Sequence, residues 1–307
     1  HELILIPDEF LHYVPFAALL DPERSDHPYV VQSFAVAEAP ALRFLGDRQA
    51  TAAVASGTRM LLVADPIYGA DDPRLGARGD RASAPATSPS EHRGVLPTAH
   101  AEPDLARLES SAREAAQIRD LLGEQNVELL EGEGATRDAV LDRDLSRYRF
   151  IHVASHGLID SEIPQLSALI LSTRDQAGLV SDPYLRAADL LTRTFHAQAI
   201  VLSACDTALG KEYRTEGIVG LRYAALARGA RAVVASLWPV SDGVAATLMV
   251  NMYRGLVAPE ASTLPRGSSD GLEVARALAD AMRQALERSP SLDPALWAPF
   301  TVYVAGD

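Results

Sequence analysis

The feature that most narrows the fold is a repeated unit: a short apolar run, a turn or charged residue, then a stretch of helix length, and the cycle again. The runs are RMLLVAD (59–65), VELLEG (127–132), RFIHVAS (149–155), AIVLSA (199–204), AVVASLW (232–238) and FTVYVAG (300–306). Between them, helices are predicted over 109–123, 135–146, 216–229, 242–257 and 271–289. In the first of these, Ala112, Ala115, Ala116, Ile118 and Leu122 approximate a helical stripe and Gly123 is a stop signal. Strands that alternate with helices form a parallel sheet, because parallel neighbours need a long crossover between them. The expected fold class is therefore α/β, with a mostly parallel sheet of about six strands and helices on both faces.

Three stretches break the rhythm. Residues 69–104 are rich in Gly, Pro, Ser and charge without a period, which predicts a long mobile loop, and 258–270 are a shorter version. Residues 167–185 hold two strand-like runs around a glycine-containing turn, the pattern of a β-hairpin. Residues 1–57 fit the rhythm poorly and are expected to form a small flanking α/β segment, leaving 58–307 as the main domain.

Composition removes several function classes. The chain has 307 residues and a formal net charge of −13, which argues against nonspecific binding to nucleic acid, where clustered Lys and Arg are needed. Its apolar runs are too short to span a membrane and it opens on no signal segment, so a cytoplasmic location is expected. The sequence starts at once on the strand-like LILIP, as a piece of a longer protein would. One cysteine, Cys205, forms no internal disulfide and makes a structural zinc site improbable; no cofactor or metal is expected. The glycines of EGEGATRD (131–138) lack the lysine and spacing of a phosphate-binding loop and read as a turn.

Two of the runs end on reactive side chains. RFIHVASHG (149–157) stops at His156 and QAIVLSACDT (198–207) stops at Cys205. Functional groups in parallel sheets gather at the carboxyl ends of strands. If the two strands are neighbours, an imidazole and a thiol face one cleft, the arrangement of a covalent nucleophile with its acid/base. The backbone N–H groups of Gly157 and Cys205 are candidates for an oxyanion site. Each residue taken singly also has a plain reading, Cys205 as a small core residue and His156-Gly157 as a turn. His152, on the same strand as His156, reads as a core or edge histidine; His12, His27, His92, His100 and His196 read as surface or loop residues.

The ordered set LILIPDEFLHYVPFAAL, LLVADPIY, RFIHVASHG, IVLSACDT, the Glu-Gly of TEGIVGL, LARGARAVVASLWPVSD and the closing WAPFTVYVAGD resembles a CHAT domain, a caspase-like domain often attached to tetratricopeptide repeats. The resemblance spans nearly the whole chain. It implies a caspase-type sheet, kinship with separases, gingipains and caspases, and a Cys-His dyad that hydrolyses peptide bonds, with Cys205 as nucleophile and His156 as general acid/base. It also implies a protein substrate and a neighbouring repeat domain on the same polypeptide. An interaction module that binds without cutting is the alternative, and an acyltransferase or other thiol hydrolase is a third class.

For the residue before the cut, Asp206, Asp242 and Glu216 are the candidate pocket carboxylates. They would favour a cation, and arginine best of all, since its planar fork pairs with a carboxylate through two hydrogen bonds; separases and gingipains, which the chain resembles, cut after basic residues. A pocket for an acidic residue would instead need arginines, for which Arg214 and Arg222 are the nearby candidates. Asp242 reads equally as a helix N-cap, and Asp206 as a hydrogen-bonding residue within its loop.

Overall fold

A computed structural model of the chain describes residues 1–21, 28–45, 54–69, 71–75, 105–158, 167–180, 182–203, 216–238, 242–258 and 270–305. In chain order the elements are β1 (Glu2–Leu5), the single turn α1 (Val30–Ser33), β2 (Ala35–Glu38), β3 (Met60–Pro66), α2 (Glu109–Leu122), β4 (Val127–Gly132), α3 (Arg137–Leu141) and β5 (Phe150–Ala154). There follow β6 (His156–Leu158), β7 (Ala168–Ile170), β8 (Arg174–Asp175), β9 (Gly178–Leu179), β10 (Tyr184–Arg186), α4 (Ala187–Leu191) and β11 (Ala199–Ser203). The chain closes with α5 (Glu216–Ala227), β12 (Ala232–Ser236), α6 (Asp242–Val257), α7 (Asp270–Arg288), α8 (Pro294–Trp297) and β13 (Phe300–Val304).

Among the described residues the main sheet has eight strands in the order β1-β2-β13-β12-β11-β5-β3-β4. Every neighbouring pair is parallel except β12 with β13. All six strands expected from the apolar runs are present. Residues 1–57, expected as a flanking segment, supply β1 and β2 at one edge of this sheet. The hairpin expected over 167–185 is nested: β8 pairs with β9 inside an antiparallel β7–β10 pair, and β7 also pairs with β6 to make a three-stranded sheet.

Why the strands read as unbroken apolar runs follows from their two buried faces. Met60, Leu62 and Ala64 of β3, Phe150 of β5, Val201 of β11 and Val234 of β12 pack on one side with α2, α6 and α7. The alternate residues Leu61, Val63, Ile151, Val153, Ile200, Leu202 and Val233 pack on the other side with α3, α4 and α5. Period-2 side-chain direction thus delivers each strand to both cores at once.

Helix ends match the punctuation. Gly123 closes α2 at φ 84°, a conformation costly for a residue with a Cβ. Gly229, between α5 and β12, has φ 110° and lies so close to the Phe195 carbonyl that an added Cβ would sit 2.3 Å from its oxygen. Residues 70, 76–104 and 259–269, which carry most of the two expected loops, lie outside the described residues.

Candidate functional site

β5 and β11 are parallel neighbours, and their register places Ala154 opposite Ser203. Both strands therefore leave the sheet at the same edge, each two residues short of a reactive side chain in the sequence. Cys205 and Asp206 lie outside the described residues, as does Arg214. β5 continues through Ser155 into β6, where His156 stands opposite Ile170 and Gly157 opposite Leu169.

His156 is fully buried. Its Nε2 lies 2.7 Å from the carbonyl oxygen of Ala106, which accepts only a hydrogen, so Nε2 carries the ring proton. Nδ1 is buried and has no hydrogen-bond partner among the described residues. The backbone N–H of His156 donates to the hydroxyl oxygen of Tyr68 at 3.1 Å, and the two rings lie 4.8 Å apart. Burial pushes the Tyr68 phenol well above its ordinary pKa, so it stays a neutral hydroxyl. The imidazole is thus held at Nε2 and has no partner at Nδ1 among the described residues.

The segment that supplies the Ala106 carbonyl is itself fastened. Arg107 grips Asp65 with both arms of its guanidinium, Nε to Oδ1 at 3.0 Å and Nη2 to Oδ2 at 2.7 Å. Arg74 adds Nη1 to Oδ2 at 2.7 Å and donates to the Asp65 carbonyl at 2.9 Å. The Asp65 N–H donates to Ser111 Oγ at 2.9 Å, and that hydroxyl donates to the Leu108 carbonyl at 2.7 Å. Asp65 is buried and has φ 47°, the one described non-glycine residue in the left-handed region. Next along the chain, Ile67 N–H donates to Ser172 Oγ and Thr173 Oγ1 donates to the Tyr68 carbonyl, which docks the turn after β3 on the strand side of the site.

His152 turns out to be a core residue beneath this edge. Its Nδ1 is 3.1 Å from the Tyr253 hydroxyl and its Nε2 is 3.3 Å from Glu114 Oε1, off hydrogen-bond alignment. Complete burial pushes its imidazole down to about 3, so it is neutral. Glu114, on α2, also lines a small pocket between the two strand ends, together with Leu108, Ser110, Ser111, Ala154, Ser203 and Ala245. The pocket has room for about one water.

The other candidates sort differently. Asp242 and Glu216 are the first residues of α6 and α5, and their side chains lie outside what is described. Arg222 is buried over the Tyr303 ring at 3.8 Å, with Nη2 3.3 Å from His12 Nδ1. His12, expected at the surface or in a loop, is half-buried and stands 3.7 Å from the buried Glu38 carboxylate. Ala106, Tyr68, Asp65, Arg107 and Glu114 escaped the sequence reading. Only Asp65 and Tyr68 left a signal, an acidic and an aromatic residue at the end of an apolar strand run. Among the described residues no three His, Cys, Asp or Glu converge as a metal site would require, and no helix is long and apolar enough to cross a membrane.

Comparison with known proteins agrees with this architecture. The chain is 25% identical to mouse tetratricopeptide repeat protein 28 over 98% of its length and 24% identical to the human protein over 97%; it spans 12% of each. Among solved structures it superposes on the separase–securin complex of Saccharomyces cerevisiae with a TM-score of 0.53 and 13% identity, covering 99% of this chain and 16% of that one. The Arg-specific cysteine proteinase gingipain R aligns with a TM-score of 0.48 at 11% identity, over 92% of this chain and 56% of that one. The fold is caspase-like. A family model described as the CHAT domain matches residues 1–307, and the chain belongs to that family.

Proposed function

We propose that this domain is a cysteine endopeptidase in which Cys205 attacks the scissile carbonyl and His156 moves the proton. One observation carries the reading: His156 is tied through Nε2 to Ala106 and its buried Nδ1 has no partner among the described residues, at the edge where β11 ends two residues before Cys205. Nδ1 takes the thiol proton as the thiolate attacks, and returns it to the leaving amine as the tetrahedral species collapses to an acyl-enzyme. Water, deprotonated by the same nitrogen, then releases the acid. The N–H groups of Gly157 and Cys205 are the proposed donors to the oxyanion.

The substrate preference proposed is for arginine before the cut. Glu114 is the described carboxylate that supports it, since its pocket opens between the residues two before His156 and two before Cys205. A long, slender cationic side chain reaches such a carboxylate if Leu108 and Ala245 spread at the rim. Asp206, Asp242 and Glu216 remain the other proposed contributors.

A repeat domain on the same polypeptide is the proposed partner. The relatives are named as tetratricopeptide repeat proteins, and the chain corresponds to 12% of their length. The edge strand β1 and the turns after it expose Ile6, Phe10 and Leu20, an apolar surface suited to such a neighbour.

The test is mass spectrometry of products from a random peptide library incubated with wild type, Cys205→Ala and His156→Ala. Cleavage by wild type alone supports the dyad. Equal cleavage by Cys205→Ala would rule it out, and absence of cleavage by all three, with binding of a protein partner retained, would favour a noncatalytic scaffold, the reading to which the repeat-protein relatives lend weight.

A further inference from the structure

We infer that Asp65 and Arg107 are positioning residues that set the tautomer of His156, holding the Ala106 carbonyl where it binds Nε2–H and so keeping Nδ1 free to accept a proton. The catalytic consequence rests on the proposed dyad; the tautomer itself does not.

The chain of contacts is short and complete. Ala106 and Arg107 are adjacent, so the bidentate grip of Arg107 on Asp65 fixes the orientation of the peptide unit that presents the Ala106 oxygen. A planar fork on a planar carboxylate fixes direction as well as distance, which a single point contact does not. Asp65 is in turn anchored independently of Arg107, at its N–H by Ser111 and at its carbonyl by Arg74. Three residues later Tyr68 takes the His156 N–H and packs on the ring. Both ends of the imidazole-bearing residue are therefore referred to one short stretch, Asp65–Tyr68, at the carboxyl end of β3.

Backbone conformation points the same way. A left-handed φ at a non-glycine residue is maintained only where the surroundings over-determine it, and Asp65 is surrounded by ligands on its N–H, its carbonyl and both carboxylate oxygens. Without the ion pair, the 105–108 segment keeps Ser111–Leu108 as its link to Asp65, which constrains Leu108 but not the Ala106 carbonyl. The two neutral tautomers of His156 would then interchange, and the fraction with Nδ1 unprotonated would fall.

The experiment uses the full chain with ¹⁵N-labelled histidine, the His156 ring signals being assigned by their loss in His156→Gln. Wild type should show a single neutral tautomer protonated at Nε2. Asp65→Asn keeps a residue type that tolerates positive φ while removing the charge, and Arg107→Gln removes the fork from a side chain that is about a third exposed and so is the safer variant for folding. Both should show averaged ring shifts. On a cleavable peptide kcat should fall about 10- to 100-fold, by analogy with the loss of outer partners of metal-bound imidazoles, with KM unchanged. Arg107→Lys should restore the signal in part. An unchanged Nε2–H tautomer in Arg107→Gln overturns the inference whatever the activity. If wild type proves inactive while the ring signals of the variants average, the dyad reading fails and the positioning stands.

Discussion

Acid should unfold this protein earlier than its carboxylates alone would dictate, and His152 should be the reason. Its imidazole is fully buried between Tyr253 on α6 and Glu114 on α2, and burial lowers its pKa from 6.5 to about 3. As pH falls, the unfolded chain therefore takes up this proton first. The stability linked to His152 is complete above pH 6.5 and is lost progressively between 6.5 and 3. Integrating that linkage from pH 7 to pH 5 gives a loss of about 2 kcal/mol. With a urea m-value of about 3 kcal/mol/M for a domain of this size, the midpoint should fall by about 0.7 M. The carboxylates of Asp72, Glu128 and Asp182 are held below their ordinary values of 3.8 or 4.5 by hydrogen bonds and arginines, so the stability linked to them is lost mainly below about pH 5. Urea unfolding at pH 7, 6 and 5, followed by fluorescence of the buried Trp297, measures the effect in wild type and in His152→Gln, which keeps polar atoms in place but does not titrate. A midpoint in wild type that does not move, or one that moves in parallel in both proteins, would refute the reasoning.

Glu114→Gln should erase discrimination between arginine and leucine before the cut in fluorogenic peptides, while leaving the rate of Cys205 alkylation unchanged; retained arginine preference would pass the role to Asp206, Asp242 or Glu216. Alkylation of Cys205 by iodoacetamide should slow as pH drops through the thiolate pKa and should slow further in His156→Ala, and a rate indifferent to His156 would separate the two residues. Gly229→Ala should cost about 3 kcal/mol or more, because the new Cβ meets backbone at Phe195 and the residue must hold φ 110°; a melting temperature within 2 °C of wild type, about 1 kcal/mol or less, would contradict the close approach. In a polypeptide that carries the repeat domain as well, hydrogen exchange at residues 4–20 should be slower than in the isolated domain, and equal rates would leave the β1 edge without the proposed partner.

Legibility from sequence followed the physics of each level. The strands were readable because burial on both faces demands apolar residues at every position, as in Ile151, His152 and Val153, where even the one polar exception is a neutral ring. The helices α2, α6 and α7 were readable to within one residue at either end, since Gly123 and the amphipathic stripes mark them locally. β1 and β2 were not assigned to the sheet, because four-residue strands at an edge carry too little pattern to reveal their partner. His156 was found because it ends a strand, and the same criterion overlooked the groups that orient it. Ala106 acts through its carbonyl, an atom every residue has, so its identity leaves no trace in the sequence. Arg107 and Asp65 are 42 positions apart and meet only through the return of the chain to β3. Glu114 was hidden inside a helix read for its apolar stripe, where a buried carboxylate looks like one more charged residue on a solvent face. The candidate site thus divides by kind: the proposed acid/base, His156, was legible from its position at a strand end, whereas the parts proposed to fix its tautomer and shape its pocket are relations between distant segments. Such relations become visible only when the sheet order brings β3, β5 and β11 to one edge. That division explains why Arg107→Gln, a change at a residue no motif marks, is the sharper probe of the proposed chemistry than a second substitution within His156-Gly157.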